Sequence, residues 1–558
     1  MKPLIRSSIW CAALLLGSLI TAKANETNSI SYGEIPSGSI TNIAQTNFYA
    51  FTATSNDVVD ITLVRTNGTG VPYFYLFDPD GNLVLGDNYN SYLAYVTGLR
   101  LTNTGTYTAE VVEKNLTLTF KYLLNLTAIA GGVNLREAGD GGEAIVPGTN
   151  TSGHLSAADM DTYTFTASSN DVVDITLVRT NGTGAPYFAL YGPDAALVLA
   201  NNYNSYLAYT AGLRLTKTGS YTLVLYATDN ISAYDYALNL TAIAGGVNLR
   251  EAGDGDEAIL PGENTGGHIS PADKDTYTFM ASSNDVVDIT LVRTNGTSAP
   301  YFALYDPNGV FVLGDNYDTN LAYVTGLRLT NAGSYTLVVN ASDQASAYDY
   351  VVCMIDVPGP NSPDPGDGAY TMSANETRSG QITPGDLDAY AFHAIAGDTL
   401  TITVQKTSGT GLNPVALLHA PDGTVLATGS STTSAVVQVS CVSETGTYVI
   451  VVYANGLNEA FGYDVTLNES PNVAASSGLI QYLAVYECDG DVWLRWETNA
   501  VGFVLESTVD LSSGNWFPVD EVPQVIADHY YLDEGVVTNR TQFFRLEYTN
   551  SAPGSFPP

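Results

Sequence analysis

Basic residues are scarce in this chain. It has 20 lysines and arginines against 57 aspartates and glutamates in 558 residues, with a formal net charge of −37 at pH 7. Nucleic acids and anionic membranes carry dense negative charge and would repel it, so we expect no nucleic-acid partner. Basic proteins, calcium and other cations would be attracted. Acidity that merely keeps an exported protein soluble is the alternative explanation.

Cysteine is nearly absent, with four residues in the whole sequence. Beyond residue 24 only Cys353, Cys441 and Cys488 remain, and we expect them in three different domains. An odd count without C-x-x-C spacing predicts neither a disulfide framework nor a zinc site. Stability must then come from core packing, which β-sandwiches of about 100 residues can supply.

Long apolar runs are missing after the N-terminus. Lys2 and Arg6 precede an apolar run over residues 9–20, and small residues follow at 22–24. This pattern predicts a secretory signal peptide over residues 1–24. A membrane anchor is the alternative, but the run is shorter than the about 20 residues that a spanning helix needs. We therefore predict a secreted, extracellular or periplasmic protein without a membrane span.

Catalytic motifs are missing too. The sequence has no H-E-x-x-H, no G-x-S-x-G and no cysteine in a catalytic context. His154 and His268 share a repeat position that varies among the copies, which predicts exposed strand residues. A non-catalytic protein is predicted. The alternative is a divergent hydrolase in the C-terminal region, with candidate residues Asp489, Asp491, Glu497 and His529.

The chain consists largely of copies of one module. The segment NDVVDITLVRTNGT begins at Asn56, Asn170 and Asn284, so the copies are 114 residues apart. A weaker fourth copy, AGDTLTITVQKTSGTG, surrounds Asp398. A period of this length is that of an independent domain and not of a solenoid unit.

The repeated segment has the alternation of a half-buried β-strand, with Val173, Ile175 and Leu177 on one face. Turn sequences such as DPDG at 78–81 separate the strands, and no amphipathic helix follows the signal peptide. We predict an all-β protein of tandem β-sandwich domains, arranged as beads on a string, with a small C-terminal β-sandwich.

Composition and repeat phase set the predicted boundaries. Prolines mark one linker, and the tryptophans Trp493, Trp496 and Trp516 mark the last domain. The predicted segments are repeat 1 over 25–130, repeat 2 over 131–245, repeat 3 over 246–356, a semi-extended proline-rich linker over 357–369, repeat 4 over 370–469, a linker over 470–478 and a C-terminal domain over 479–558.

The four repeats resemble the bacterial pre-peptidase C-terminal (PPC) domain over most of residues 30–468. The matching motifs are D-x-D-x-Y-x-F, G/N-D-x-x-x-I-T-L, L-x-D-P-D-G and T-G-x-Y-T-L-V-V, in that order. The resemblance implies jelly-roll-like sandwiches in an exported protein. Related collagen-binding modules of clostridial collagenases bind calcium near their N-terminal edge. The last domain, with GFVLESTVDLSSGNW and FFRLEY, looks like an immunoglobulin- or fibronectin-III-like module.

Paired aspartates are the candidate metal ligands. Residues two apart share a strand face, and carboxylates from a strand end and an acidic loop could give calcium its about six to eight oxygens. Aspartates that only cap the turn are the alternative. Repeat 1 has Gln45 and Asn47 instead. The predicted calcium ligands are Asp159, Asp161, Asp273, Asp275, Asp386, Asp388 and Glu257.

Tyrosine is abundant, notably in NYNSYLAY at Asn88 and Asn202. Exposed tyrosines can stack on sugars or contact proteins, although tyrosines in alternating strands more often pack in the interior. The sequence favours a binding or spacing array at the cell exterior, with an extracellular polymer or exported protein as partner. Weak sites on linked copies would act by multivalency. The alternative is an accessory or targeting partner of a separately encoded secreted peptidase or polysaccharide hydrolase.

Overall fold

The computed structural model describes residues 27–548 except for 88, 138–139, 141, 252–253, 256, 316–317, 358, 410–412, 471–482, 489–490, 498–502, 527–528 and 537–541. The predicted signal peptide and nearly all of the predicted 470–478 linker lie outside the described residues. The chain divides into two compact units, of residues 1–146 with 150–240 and of residues 147–149 with 241–558.

The first unit holds repeats 1 and 2. The strands of repeat 1 are β1 (Thr27–Ser29), β2 (Ser37–Ile40), β3 (Asn47–Ala53), β4 (Val58–Gly68), β5 (Pro72–Phe77), β6 (Leu83–Asp87), β7 (Leu93–Arg100), β8 (Gly105–Glu113) and β9 (Phe120–Ala130). The strands of repeat 2 are β10 (Asn150–Leu155), β11 (Asp161–Ala167), β12 (Val172–Gly182), β13 (Pro186–Tyr191), β14 (Leu197–Asn201), β15 (Leu207–Arg214), β16 (Gly219–Ala227) and β17 (Tyr234–Ala244).

The second unit holds repeats 3 and 4 and the C-terminal domain. The strands of repeat 3 are β18 (Thr265–Ile269), β19 (Asp275–Ala281), β20 (Val286–Gly296), β21 (Pro300–Tyr305), β22 (Phe311–Asp315), β23 (Leu321–Arg328), β24 (Gly333–Ala341) and β25 (Tyr348–Val357). The strands of repeat 4 are β26 (Glu376–Ile382), β27 (Asp388–Ala394), β28 (Thr399–Lys406), β29 (Pro414–His419), β30 (Val425–Ser430), β31 (Ser434–Val439), β32 (Gly446–Ala454) and β33 (Phe461–Ser470).

Each repeat is a sandwich of two sheets, which confirms the predicted all-β tandem architecture. In each repeat, one sheet contains the strand that begins at the second aspartate of the pair, or at Asn47 in repeat 1. We name this sheet the leading sheet. The leading sheets have the orders β1-β3-β8-β5-β6, β11-β16-β13-β14, β19-β24-β21-β22 and β27-β32-β29-β30. The other, trailing sheets have the orders β2-β9-β4-β7, β10-β17-β12-β15, β18-β25-β20-β23 and β26-β33-β28-β31.

The repeated NDVVDITLVRT segment forms an inner strand of the trailing sheet in repeats 1, 2 and 3. Asn56 stands before it with a φ of 78°, a left-handed conformation that asparagine tolerates better than most residues. Asp57 then closes the turn, because its Oδ2 accepts a hydrogen bond from the backbone N–H of Thr54 at 2.8 Å. Turn chemistry in the sequence therefore fixes where the strand begins.

In repeats 1 and 3 this inner strand is buried on both faces, although its alternation predicted a half-buried strand. In β4, Ile61 and Leu63 face the core of their own sandwich. Val58 and Val64, on the opposite face, are buried as well. The reason is that the trailing sheet packs against the following repeat within the same unit, so its outer face is also an interior surface.

The joint within the first unit is an apolar sheet-on-sheet contact. Val58 and Ile129 from the trailing sheet of repeat 1 form one buried cluster with Ala189, Tyr191 and Val224 from the leading sheet of repeat 2. Burial of this kind stabilises by about 25 cal/mol for each Å² of apolar surface removed from water. Repeats 1 and 2 therefore share a continuous interior.

The joint within the second unit repeats this arrangement. Val286 and Ile355 from repeat 3 cluster with Leu417, Val449 and Val451 from repeat 4. In both units an arginine at the end of the trailing sheet also reaches a backbone carbonyl of the next repeat at 2.6 Å. These contacts are Arg100 Nη2 to Asp194 O and Arg328 Nη2 to Asp422 O.

Hydrogen bonds tie the proline-rich segment over 357–369 to neighbouring residues of the same unit. The side chain of Asn361 accepts from the backbone N–H of Asp356 at 3.0 Å and donates to the carbonyl of that residue at 2.8 Å. The N–H of Ser362 donates to Pro261 O at 2.7 Å. Asparagine makes the same pair of bonds at Asn134 and Asn248, so the segment follows a repeated plan.

The C-terminal domain has two sheets, ordered β34-β35-β39-β38 and β37-β36-β40, around Leu494, Trp496, Leu505 and Leu532. Its strands are β34 (Ala484–Cys488), β35 (Asp491–Glu497), β36 (Phe503–Thr508), β37 (Phe517–Pro518), β38 (Gln524–Ile526), β39 (His529–Val536) and β40 (Phe543–Tyr548). A 3₁₀-helix, Leu511–Ser513, is the one helical element in the described part of the chain. No described helix is long and apolar enough to span a membrane.

The cysteines behave differently from one another. Cys353 is a free thiol buried at the joint between repeats 3 and 4. Cys441 is disulfide-bonded. The cysteine count predicted no disulfide framework and gave no signal of this bond.

Candidate metal centre

The predicted aspartate pairs stand at the start of the leading sheet in repeats 2, 3 and 4. Asp161 is the first residue of β11, and Asp159 lies two residues earlier, in the turn before the strand. Both side chains are only 5% exposed. The corresponding pairs are Asp273 with Asp275 and Asp386 with Asp388, all of them buried.

Two core tyrosines hold the second aspartate of each pair. The hydroxyl of Tyr236 donates to Asp161 Oδ2 at 2.5 Å, and the hydroxyls of Tyr236 and Tyr163 are 2.7 Å apart. Because both tyrosines are buried in the sandwich, the fold itself sets the position of this carboxylate. The same bonds, at 2.6 Å, join Tyr350 to Asp275 and Tyr463 to Asp388.

The first aspartate of each pair caps the turn, as the alternative interpretation expected. Asp273 Oδ2 accepts from the N–H of Ser270 at 3.2 Å, and Asp386 Oδ2 accepts from the N–H of Thr383 at 3.1 Å. Capping uses only one oxygen. Oδ1 of Asp273 and of Asp386 has no hydrogen-bond partner among the described residues, although both side chains are 1% exposed. A buried oxygen of this kind is costly unless a donor or a cation reaches it.

Two further carboxylates approach each pair from the preceding loop. Burial, followed by the negative charge of Glu137, raises the pKa of Asp159 to about 7. Burial and the charge of Asp159 raise the pKa of Asp161 to about 8, and Asp140 shares a hydrogen bond with Asp161. Each site therefore gathers four carboxylates. The loop members are Glu251 and Asp254 in repeat 3, and Asp364 and Asp367 in repeat 4.

The predicted ligand set contains none of these loop residues, although Glu251 and Asp254 belong to the acidic loop from which ligands were expected. Repeat phase could have found them, because Asp140 and Asp254 are separated by the same 114 residues as the aspartate pairs. Asp367 occupies the corresponding position in repeat 4, where its Oδ2 also lacks a hydrogen-bond partner among the described residues. Residues at equivalent positions of the repeats therefore identify the site better than the number of acidic residues in one loop does.

Glu257, which the sequence placed in the calcium site, lies on the surface of repeat 3. Its backbone carbonyl accepts from the N–H of Thr278 at 2.8 Å, as part of the connection into the leading sheet. The charges that act on Asp273 and Asp275 come instead from Glu251 and Asp254. Membership of Glu257 in a metal site stays a prediction.

Repeat 1 shows how the same site is built without charge. Gln45 and Asn47 take the two aspartate positions, and Gln45 Nε2 donates to Asn47 Oδ1 at 2.9 Å. Asn47 Nδ2 donates to the hydroxyl of Tyr122 at 2.7 Å, which reverses the direction of the bond that Tyr236 makes in repeat 2. The amides satisfy one another, so repeat 1 needs no cation.

The donor set in repeats 2 to 4 fits a hard divalent cation in chemistry, because calcium prefers carboxylate oxygens. The unpaired buried oxygens of Asp273, Asp386 and Asp367 are the atoms that such an ion would satisfy. In the described part of the chain, however, no three His, Cys, Asp or Glu side chains are already arranged to hold a metal ion. Binding would therefore require the loop carboxylates to reorient toward the fixed pair.

The repeated histidines form exposed hydrogen-bonded pairs with aspartates on the trailing sheet. His154 Nδ1 lies 2.6 Å from Asp235 Oδ1, and His268 Nδ1 lies 2.6 Å from Asp349 Oδ1. Repeats 1 and 4 have Ser39 and Gln381 at this position. The prediction of exposed strand residues is confirmed, and the pairs link neighbouring strands β10 with β17 and β18 with β25.

The residues of the alternative hydrolase site are only partly described. Glu497 and His529 are register partners on β35 and β39, and Asp491 pairs with Val536 on the same two strands. Asp489 lies outside the described residues. Backbone pairing brings Glu497 and His529 to one end of the sheet, and Asp491 to the other.

No family model and no curated protein matches the chain. Solved structures give weak likenesses, among them a mutant arabinofuranosyltransferase AftD from Mycobacteria, with 10% identity, a TM-score of 0.14 and coverage of 75% of this chain and 40% of that one. Dimeric latent PorU from Porphyromonas gingivalis gives 12% identity and a TM-score of 0.12, over 61% and 35% of the two chains.

A glycan-utilisation protein of Bacteroides ovatus, SGBP-B in complex with a mixed-linkage heptasaccharide, gives 12% identity and a TM-score of 0.10, over 81% of this chain and 98% of that one. The chain spans less than half the length of the AftD and PorU chains. At such TM-scores these likenesses carry no argument about function.

Proposed function

We propose that this chain is an exported, non-catalytic array of PPC-type modules that binds an extracellular polymer, with calcium ordering the carboxylate site of repeats 2, 3 and 4. The observation that carries the proposal is the threefold recurrence of one buried carboxylate pair beside the same two loop carboxylates. A cation bound there would supply positive charge to oxygens that the protein leaves unpaired.

The proposed calcium site joins each sandwich to the loop that precedes it. In repeat 3, Asp273 and Asp275 belong to the sandwich, whereas Glu251 and Asp254 belong to the segment that precedes it. Arg250 on that segment already donates to Thr276 O at 2.7 Å and lies over the Tyr277 ring at 4.8 Å. A cation would add a second attachment between the same two parts of the module.

The tandem repetition of one module supports a binding role through multivalency. The leading and trailing sheets of repeats 2 and 3 have identical strand orders and nearly identical sequences, so any surface site on one copy is present on the other. Linked weak sites gain effective concentration when they engage one polymer together. The disulfide at Cys441 supports export, because such bonds persist in oxidising compartments.

The proposal is tested by retention of the chain from residue 25 onward on insoluble polysaccharides and on fibrillar collagen, in calcium and in EDTA. Retention on one matrix in calcium is expected. A variant with the amides of repeat 1 in every site (D159Q, D161N, D273Q, D275N, D386Q and D388N) should lose the difference between calcium and EDTA. Failure of the unmodified chain to bind any matrix would refute the binding role and leave a spacer.

A further inference from the structure

The outer face of the leading sheet is an interior surface in repeats 2 and 4 but not in repeat 1. In repeat 2, Ala189 and Tyr191 on β13 are each 4% exposed, because repeat 1 packs over them. Their counterparts on β5 of repeat 1 are Tyr75 and Phe77, which are only half-buried. This face of repeat 1 is therefore more exposed than the corresponding faces of repeats 2 and 4.

The outer face of the leading sheet in repeat 1 carries a continuous aromatic stripe. We name this stripe the aromatic face and define it by Tyr73, Tyr75, Phe77, Phe48 and Glu110. Along β5, the ring centroids of Tyr73 and Tyr75 are 4.8 Å apart, and those of Tyr75 and Phe77 are 6.5 Å apart. Across the strands, Glu110 on β8 pairs with Phe48 on one side and with Tyr75 on the other. A carboxylate therefore stands between aromatic residues.

Phe48, Glu110 and Tyr75 form a cross-strand row whose composition is particular to repeat 1. The corresponding residues of repeat 2 are Thr162, Val224 and Ala189. They are Ala389, Val451 and Leu417 in repeat 4. Small or aliphatic residues suit a sheet that is covered by another sheet. Three large or charged residues at the same positions indicate a different occupant.

The aromatic side chains extend across the neighbouring strand. Gly86 on β6 is the register partner of Tyr75. A Cβ atom at Gly86 would lie 2.8 Å from Cδ1 of Tyr75 and 2.9 Å from Oη of Tyr73, so both side chains lie directly over this glycine. The absence of a side chain there lets them rest against the sheet. This makes a platform and not a deep pocket.

A second copy of the chain does not fit the aromatic face. A sheet packed over it would bury the carboxylate of Glu110, whose pKa is already raised by partial burial. The trailing sheet of repeat 4 also lacks the apolar residues that dock in the two joints. It has Thr399, Thr401, Thr403 and Gln405 on β28, where repeat 1 has Val58, Asp60, Thr62 and Val64 on β4.

The side chains of the aromatic face indicate which class of ligand can bind there. Ring platforms stack on flat apolar surfaces, and the hydroxyls of Tyr73 and Tyr75 with the carboxylate of Glu110 can hydrogen-bond to hydroxyl groups. Pyranose rings offer both features. Uronic acid or sulfated polymers would be repelled by Glu110 and by a chain with a net charge of −37.

We infer that the aromatic face of repeat 1 is a binding site for a neutral polysaccharide, with sugar rings stacked on Tyr75 and its neighbours and hydroxyl groups bonded to Glu110. This inference rests on the proposed function, because it names the polymer and the surface through which the array binds. It also assigns repeat 1, which lacks the carboxylate site, a role distinct from that of repeats 2 to 4.

The test is affinity electrophoresis of the chain from residue 25 onward, in calcium, through gels with mixed-linkage β-glucan, xylan or polygalacturonate. The variants are Y75A and E110V, which introduce the residues of repeat 2 and should fold. The control is Y203A, because Tyr203 is 62% exposed and lies outside the aromatic face. A neutral gel should retard the unmodified chain and Y203A, and Y75A and E110V should bind at least tenfold more weakly.

The outcomes separate this inference from the proposed function. Retardation by a neutral polysaccharide that Y75A and E110V do not weaken would overturn the aromatic face as the site, while the array would remain a polymer binder. Binding to polygalacturonate or to fibrillar collagen alone would overturn the neutral-sugar assignment. Self-association in sedimentation that Y75A abolishes would identify a second copy as the occupant. An unmodified chain that binds no polymer would refute both proposals.

Discussion

Nε2 of His419 in repeat 4 lies 3.0 Å from Oδ2 of Asp288 in repeat 3, and both side chains are buried at the joint between these repeats. Nδ1 of His419 is 3.1 Å from Gly423 O, and Asp288 Oδ1 accepts from the N–H of Gly326 at 2.6 Å. Both ring nitrogens thus face oxygen atoms. A proton shared by the His419–Asp288 pair satisfies both contacts, because an imidazolium ring donates a hydrogen bond from each nitrogen.

The first prediction concerns the pH dependence of this joint. Burial lowers the pKa of His419, but the hydrogen bond and the charge of Asp288 outweigh burial and raise the pKa above 6.5. For a base with a raised pKa, the stabilisation is complete below about pH 6.5 and is lost as the pH rises through the folded-state value. Calorimetry of the whole chain should therefore show the transition of repeats 3 and 4 shifting down above about pH 6.5.

Two variants test the pair. H419Y introduces the residue of repeats 2 and 3 and should remove the decline in that pH range. D288N should cost about 3–5 kcal/mol at pH 6, because it leaves a buried cation without its partner. Unchanged pH profiles in both variants would show that the pair does not hold a proton in the folded protein.

The second prediction concerns stability without a divalent cation. Burial raises the pKa of Asp161 to about 8 and of Asp275 to about 9, with further contributions from Asp159 and Asp273. For an acid with a raised pKa, the stabilisation is complete below the unfolded value near 3.8 and is lost as the pH rises through the folded value. In EDTA, thermal stability should fall between about pH 4 and pH 9.

Amide substitution provides the control for this prediction. D161N and D275N each remove one of the titrating groups on which the pH profile depends, so each should make the decline shallower. If the unmodified chain keeps constant stability in EDTA across this range, the pairs are ionised without difficulty and do not need a cation.

The third prediction locates calcium by hydrogen exchange in the whole chain. Calcium should slow exchange in peptides that cover β11 (Asp161–Ala167), β19 (Asp275–Ala281) and β27 (Asp388–Ala394). Peptides over β3 (Asn47–Ala53) should not change, because Gln45 and Asn47 already satisfy one another. Equal protection in all four repeats would indicate a general effect of salt and would contradict a site made of the aspartate pairs.

The fourth prediction concerns the thiols. Burial raises the pKa of Cys353 well above its ordinary value, and its side chain is enclosed at the joint. Iodoacetamide should therefore label Cys353 only after unfolding, as peptide mass spectrometry would show. Cys441 should resist labelling in denaturant unless a reductant is added, because it is disulfide-bonded. Labelling of Cys441 in unreduced denaturant would contradict the bond.

The sequence by itself determined the elements and their repetition. Alternation in NDVVDITLVRTNGT, turn residues such as Asn56, and the 114-residue period are local or periodic signals, and each led to the observed strands and sandwiches. The aspartate pairs were also visible, because two acids precede the same core tyrosine and phenylalanine in three copies. Composition and spacing suffice for such features.

The tertiary structure decided which surfaces are covered. Asp60 and Asp288 lie on strand faces that the sequence pattern marks as exposed, yet both are 1% exposed because the next repeat packs over them. The same packing pairs Asp288 with His419 across a sequence separation of 131 residues. It also leaves Tyr75 half-buried in repeat 1 while its counterpart Ala189 is covered. No local pattern contains that information, because burial between modules depends on which sheet meets which.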